Sequence, residues 1–375
     1  MHKKHLYQYG ILYILLVLLI IISNTATNKL LMAATNTDST LQIPSHIDQT
    51  CNKKVTDVPS TPKKNITVKK KTLTHQSLPP GEIALSFDDV PMPSTILFNG
   101  LKRTKRLIAA LKNAQCPAVG IFAIGSNALS KLNRDRLILY AEAGHIIANH
   151  TYSHYKLSTT ADQIFIEDIQ KAHQLFSELP NFKLFFRFPY LSEGKDAQQR
   201  QTIITALNQM GYQEGYVTVS NNDYYLNKKL LDAVKSNKNI DYQKLKEIYI
   251  EMLWSCITAN HLLAHKVIGR PVKHVLLLHE NDIAALFIED LIAYIRQQGW
   301  KIISIEEAYQ DPIANYPIKN TYSHMGRLNA IAVEKGLGKN LVTFDDKVSL
   351  KGIDKIIREK EVFSRPTSTI ANSEH

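Results

Sequence analysis

The stretch Ile83-Ala84-Leu85-Ser86-Phe87-Asp88-Asp89-Val90-Pro91-Met92-Pro93 decides how this chain is read. A short, largely apolar strand ends in two adjacent acids, and a proline-rich turn follows at once. Neighbouring strand residues point to opposite faces, so both acids reach one cleft only where the strand ends and the backbone turns. A carboxylate pair in such a place divides its work, one on a metal ion and one as a base, or it is an ordinary solvated turn. The choice depends on the rest of the chain.

Working outward, short apolar runs alternate with amphipathic helical patterns. Strands are predicted at 118–124, 145–149, 185–188, 215–219, 275–278 and 301–304, and helices at 101–111, 132–143, 161–179 and 202–210. Gly144 and Gly211 sit where helix C-caps are expected. This alternation indicates an α/β fold, a parallel sheet with helices outside, open or closed into a barrel. Residues 226–270 are helical by pattern, at 230–234 and 242–265, and read as a two-helix insertion beside the barrel. Beyond residue 311 periodicity is weak except at 347–361, so the extension 312–375 is expected to be partly ordered and to carry no catalytic residue.

The ends bound the setting. Lys3 and Lys4 precede an apolar run from Ile11 to Ile22, the shape of a secretory signal or an uncleaved anchor over 1–25. Residues 26–78 are polar and Lys-rich, a tether before a catalytic domain at 79–311. The protein is therefore expected to be exported, to the periplasm, the extracellular space or the outer face of a membrane, with a possible membrane tether. The net charge of +11 is concentrated in that tether, where seven lysines between 51 and 71 face only Asp57. No basic stripe with interleaved aromatics occurs in the folded part, which argues against nucleic acid as a partner. The three cysteines, Cys51, Cys116 and Cys256, form no Cys-x-x-Cys pair. Cys116 and Cys256 are either a disulfide or two unpaired core thiols.

Polar residues of catalytic type recur after the predicted strands, where parallel α/β folds build their sites. His150-Thr151-Tyr152-Ser153-His154 places two imidazoles four apart, able to turn toward one ion on a helix turn or a compact loop. With Asp89 they would leave coordination positions free for water and substrate. Arg187, Pro189 and Tyr190 follow the next strand, and the proline would aim the Tyr190 N–H into the cleft as an oxyanion donor. Asp223-Tyr224-Tyr225 comes later, and His279 stands directly after Val275-Leu276-Leu277-Leu278, followed by Glu280, Asn281 and Asp282. Tyr152, Tyr190, Tyr224 and Tyr225 suit either sugar stacking or half-buried packing.

Ser86-Phe87-Asp88-Asp89, Asn149 to His154, Arg187-Phe188-Pro189-Tyr190, Asp223-Tyr224 and Leu276-Leu277-Leu278-His279 together resemble the five ordered motifs of the polysaccharide deacetylases, carbohydrate esterase family four. The resemblance spans about residues 80 to 310, and 299–308 is similar to the family's closing strand and helix. It implies a distorted (β/α) barrel of about seven strands. It implies a divalent metal held by Asp89, His150 and His154, zinc by default, with cobalt, nickel or iron also suited to the ligand set. It makes Asp88 the base, oriented by Arg187, and His279 the acid, tuned by Asp223. The substrate class it implies is an acetylated glycan. Three departures stand out: Val90 replaces the usual glycine after the acid pair, which is expected to narrow the cleft, Tyr224 replaces the usual tryptophan, and the helical stretch at 226–270 is longer than a minimal member needs. The other readings are a hydrolase of a small non-glycan amide on the same barrel and a non-catalytic secreted glycan-binding protein.

Overall fold

The structure is a computed structural model that describes residues 78–337 and 348–365. The signal or anchor expected at 1–25, the tether as far as residue 77 and Cys51 lie outside the described residues. Among the described residues no helix is long and apolar enough to cross a membrane.

Strand β1 (Glu82–Val90) is buried on both faces along most of its length, as its unbroken apolar run requires of a central parallel strand. It is followed by α1 (Gly100–Asn113), β2 (Gly120–Ala123), α2 (Lys131–Glu142), β3 (Ile146–Asn149), α3 (Asp162–Phe176), β4 (Phe182–Phe186), α4 (Ala197–Gln209) and β5 (Gln213–Glu214). Helix α5 (Asp223–Lys235), the short β6 (Asn239–Ile240) and the 27-residue α6 (Tyr242–Ile268) come next. The barrel resumes with β7 (Lys273–His279), α7 (Asp282–Gln297), β8 (Lys301–Ile302) and α8 (Ile305–Tyr309), and the extension adds α9 (Arg327–Glu334), α10 (Leu350–Glu359) and β9 (Phe363–Ser364). Side-chain N-caps from Asn99, Ser130, Asp196 and Asp241 start α1, α2, α4 and α6.

Seven strands form a parallel curled sheet in the order β5-β4-β3-β2-β1-β7, with β8 paired to the start of β1, and β6 pairs separately with β9, antiparallel. The register of β1 on β7 sets Asp88 directly beside His279. The strand predicted at 215–219 is not continuous. Only Gln213–Glu214 pairs with β4, and the chain then crosses to β7, where Val219 bridges Leu276. Gly215 is the reason: its amide donates to the Phe186 carbonyl at 2.6 Å, and a Cβ there would lie 2.5 Å from the Phe122 ring. This irregular segment touches both edges of the sheet and curls it toward a barrel. The two halves of the helical stretch pack their inner faces, Leu226 and Leu230 from α5 and Leu245, Tyr249, Leu253 and Ile257 from α6, into the core that also holds α7.

Candidate active site

The acid pair sits in a β-bulge. On the β2 side the register runs Phe87 to Ile121 and then Val90 to Ala123, so one extra residue lies in β1 between them. Asp89 takes up that residue at φ 64, the left-handed region that non-glycine residues seldom enter. The bulge lets two consecutive side chains line one cavity, which a regular strand forbids. Asp88 is buried, and its Oδ1 accepts from Arg187 Nη1. Arg187 is itself buried and fully engaged. Its Nε donates to the Gly215 carbonyl at 2.7 Å, Nη1 also to Ser86 Oγ at 2.9 Å, and Nη2 to the Tyr309 hydroxyl at 3.0 Å, with the Phe122 ring 3.7 Å from the guanidinium. Tyr309 escaped the sequence reading, since nothing in its short helix marks it as a partner of an arginine more than a hundred residues away.

The two histidines lie on a compact loop, not a helix. Asn149 Oδ1 accepts from the Thr151 amide at 2.8 Å, Thr151 Oγ1 from the His154 amide at 2.9 Å, and Asp168 Oδ2 from the amides of Tyr152 and Ser153 at 3.0 and 2.8 Å. Thr151 and His154 both have positive φ. His154 Nε2 is 3.1 Å from Asp89 Oδ1 and His150 Nε2 is 3.6 Å from the same oxygen. One ligand atom from each of Asp89, His150 and His154 lies within 4.8 Å of the others.

The chemistry of this donor set fits a divalent cation. His150 Nδ1 is 2.9 Å from the Arg187 carbonyl, which can only accept, so Nδ1 carries the proton and Nε2 keeps its lone pair. Burial lowers the His150 pKa to about 4 against the opposing pull of Asp88, which leaves the ring neutral at pH 7. For Asp89 burial works upward, but the His154 hydrogen bond and the nearby imidazoles outweigh it and hold the carboxyl well below the usual carboxylate range. The set thus offers a charged oxygen from Asp89 together with the free Nε2 lone pair of His150.

His279 lies on the other side of Asp88, at the end of β7. Asp223, fully buried at the start of α5, accepts from His279 Nδ1 at 2.7 Å through Oδ1. Its Oδ2 accepts from the His279 amide and from Asn281 Nδ2, each at 2.9 Å. Burial would lower the His279 pKa, but Asp223, by charge and hydrogen bond, with Asp89 and Asp88 behind it, raises it to about 10. Tyr190 has φ 58 and is about half exposed, its ring 4.6 Å from that of His154. Two buried ion pairs that the sequence did not suggest hold the turn after the acids. Arg103 bonds Asp282 at 2.9 Å and the Met92 and Pro93 carbonyls at 2.7 Å. Glu280 accepts from Arg136, Thr104, Tyr140 and the Met92 amide.

Residues 75–215 match the family model described as polysaccharide deacetylase, and that span holds Asp88, Asp89, His150, His154, Arg187 and Tyr190. Over this span the chain is similar to the polysaccharide deacetylases. A peptidoglycan-N-acetylglucosamine deacetylase from Bacillus cereus is 33% identical over 110 residues, 29% of this chain and 36% of that protein. The chain thus spans about a third of the length of that relative. A chitin deacetylase from Colletotrichum lindemuthianum is 23% identical over 249 residues, 64% of this chain and 84% of that protein. The structure of a CE4 family pseudoenzyme from Bacillus anthracis shares 15% identity, covers 61% of this chain and 65% of its own, and superposes with a TM-score of 0.41. Asp223 and His279 lie beyond the matched span, so their pairing rests on the geometry above.

The deacetylase motifs open onto a cavity of about 590 Å³ lined by Asp88, Asp89, His150, His154 and His279 together with Tyr190 and Tyr224. Both substituted motif positions have a place. Val90 is fully buried in the core and is not part of the cavity wall, so it does not narrow the cleft as expected. Tyr224 meets the His279 ring edge-on at 6.1 Å. Of the four tyrosines, Tyr190 and Tyr224 are exposed at the cavity, whereas Tyr225 hydrogen-bonds Asp354 and Tyr152 lies under the Lys171 ammonium. Cys116 and Cys256 are free thiols.

Proposed function

We propose that the chain is a metal-dependent hydrolase that removes acetyl groups from an N- or O-acetylated carbohydrate of the cell envelope or extracellular space. The observation that carries this reading is the separation of two acids by one bulge. Asp89 faces both imidazoles, whereas Asp88, with Oδ2 3.7 Å from His150 Nε2, does not reach His154 and is tied to Arg187 and in register with His279. A divalent ion held by Asp89, His150 and His154 supplies Lewis acidity toward an acyl oxygen; zinc is the first choice, with cobalt, nickel and iron compatible.

The remaining roles belong to side chains of this chain. Asp88 takes a proton from the attacking water, and Arg187 holds its carboxylate in line. His279 donates from Nε2 to the departing nitrogen or oxygen, since Nδ1 is committed to Asp223. The Tyr190 N–H shares the negative charge that builds on the acyl oxygen. Export, with or without an N-terminal membrane anchor, is part of the proposal and is supported by Lys3, Lys4 and the apolar run 11–22.

The test is an acetate-release screen on chitooligosaccharides, peptidoglycan and acetylxylan, with metal content measured on the same sample. Activity that a chelator removes and zinc restores is expected. A metal-loaded protein inert on all three and on small amides would instead be a glycan-binding protein.

A further inference from the structure

The cavity wall is not built by the deacetylase motifs alone. It draws on eight separate stretches of chain, and two of them, His324 and Val348-Ser349, come from the extension after the barrel. That extension is fastened to two segments of the site, the one that carries Arg187 and Tyr190 and the one that carries Asp223. The Tyr322 carbonyl accepts from the Glu193 amide at 3.0 Å, and the His324 amide donates to the Tyr190 carbonyl at 3.2 Å. On the other flank Asn222 Nδ2 donates to the Val348 carbonyl at 2.9 Å, and Asp354 takes the Tyr225 hydroxyl and the Lys229 ammonium, each at 2.8 Å.

His324 has the marks of a site residue. It is exposed, lines the cavity and has φ 59. Five of the ten non-glycine residues with positive φ among the described residues, Asp89, His154, Tyr190, Leu191 and His324, line this one cavity. Strained backbone persists where the surrounding structure over-determines it, and it gathers at ligand sites. The chemistry of the lining is also selective. Beyond the catalytic groups it offers Ser220, Asn221 and Asn222 and the exposed rings of Tyr190 and Tyr224, and among the described residues no lysine or arginine lines it. Neutral hydroxyls and amides with sugar-ring faces suit such a surface.

We propose that the C-terminal extension turns the deacetylase cleft into a pocket for a short neutral saccharide or a chain end, with His324 as a substrate-contacting specificity residue. This rests on the deacetylase reading above. A groove that holds the interior of a long polymer must let the chain leave in both directions, whereas the extension is anchored on both flanks of the site. The volume of about 590 Å³ is that of a small-molecule pocket, for which roughly 300–1,000 Å³ is usual.

The experiment uses the full chain loaded with zinc, N-acetylglucosamine oligomers from monomer to hexamer, and soluble glycol chitin. Acetate release gives kcat/KM, and mass spectrometry of end-labelled products locates the acetyl removed. The expected result is a kcat/KM that levels off at short oligomers, with loss confined to a terminal residue. A kcat/KM that climbs to the hexamer, with interior acetyls removed as fast as terminal ones, overturns the pocket and leaves the deacetylase reading intact. Calorimetry of Asp88→Asn with the same oligomers separates the two further: affinity should stop rising at short length, and absence of binding there together with absence of acetate release by the wild type at every length sinks the deacetylase reading itself. His324→Ala should raise KM for short oligomers about tenfold, the size of one lost hydrogen bond to substrate, with the pH profile of kcat unchanged and partial recovery in His324→Gln. A KM unchanged in His324→Ala on every oligomer overturns the assignment of His324.

Discussion

Replacing Asp223 by asparagine tests the proposed acid most directly, because the hydrogen bonds around it dictate how the amide must sit. Oδ2 of Asp223 receives two fixed donors, the His279 amide and Asn281 Nδ2, and Asn281 is held in turn by accepting the Ala284 amide through its Oδ1. An asparagine satisfies both donors only with its oxygen in the Oδ2 position. Its NH2 then occupies the Oδ1 position, 2.7 Å from His279 Nδ1, and aims a donor at that nitrogen. The imidazolium, which needs Nδ1–H there, is opposed, and the neutral ring is driven into the tautomer protonated at Nε2. With the Asp223 charge gone, the burial that lowers the His279 pKa is no longer outweighed by its largest opponent. A fall from about 10 to below the ordinary 6.5 follows, worth about 5 kcal/mol against the cationic acid.

The direction of the pH effect follows from the role. An acid must be protonated to donate, so wild-type activity should persist through neutral pH and fall as pH rises toward the His279 pKa. A bound cation offsets the pull of Asp89, so in the loaded enzyme that limb should lie below 10. In Asp223→Asn the limb should move below 6.5, and kcat at pH 7 should drop by about 10²–10⁴, the usual worth of a positioned acid. Nitrogen-15 NMR of the metal-free protein reads the same change without turnover: the His279 ring should titrate near 10 in the wild type and below 6.5 in the variant. An alkaline limb and an imidazole titration both unchanged in a folded variant would refute the assignment of His279 and Asp223.

Three other outcomes are expected. Asp89→Asn and His150→Ala should lose bound metal by elemental mass spectrometry, while Asp88→Asn keeps it and loses about 10²–10⁴ in kcat; metal loss in Asp88→Asn would contradict the division of labour. Arg187→Met leaves the Asp88 carboxylate buried without its cation and should cost about 3–5 kcal/mol in urea unfolding, against under 1 kcal/mol if the pair were incidental. Asp168→Ala frees the Tyr152 and Ser153 amides, loosens the histidine loop and should weaken zinc binding about 10–100-fold, measured by competition with a chelating dye.

Much of the site was legible in the sequence because each parallel strand had to give up its apolar run where it met the cavity. Asp88, Asn149, Arg187 and His279 stand at or just past such ends, and each is a polar residue that the alternation cannot explain. What stayed hidden depends on contacts without periodicity. The strand predicted at 215–219 carried the right residue types, but the closeness of Gly215 to Phe122 is a tertiary fact that breaks the pairing. The place of His324 and Val348 in the cavity wall follows from backbone carbonyls and amides, groups that every residue has and no motif records.

The acid pair shows the limit from the other side. Its composition is symmetric, and only position separates the two carboxylates. Asp88 keeps the strand register, which binds it to Arg187 and sets it beside His279. Asp89 absorbs the extra residue of the bulge at φ 64 and turns to His150 and His154. Moving the bulge by one residue would exchange their surroundings while leaving every side chain the same. Their roles are therefore a property of the backbone, and lengthening either acid to glutamate should be as damaging as removing its charge: Asp89→Glu through lost metal, and Asp88→Glu through lost turnover with the metal in place.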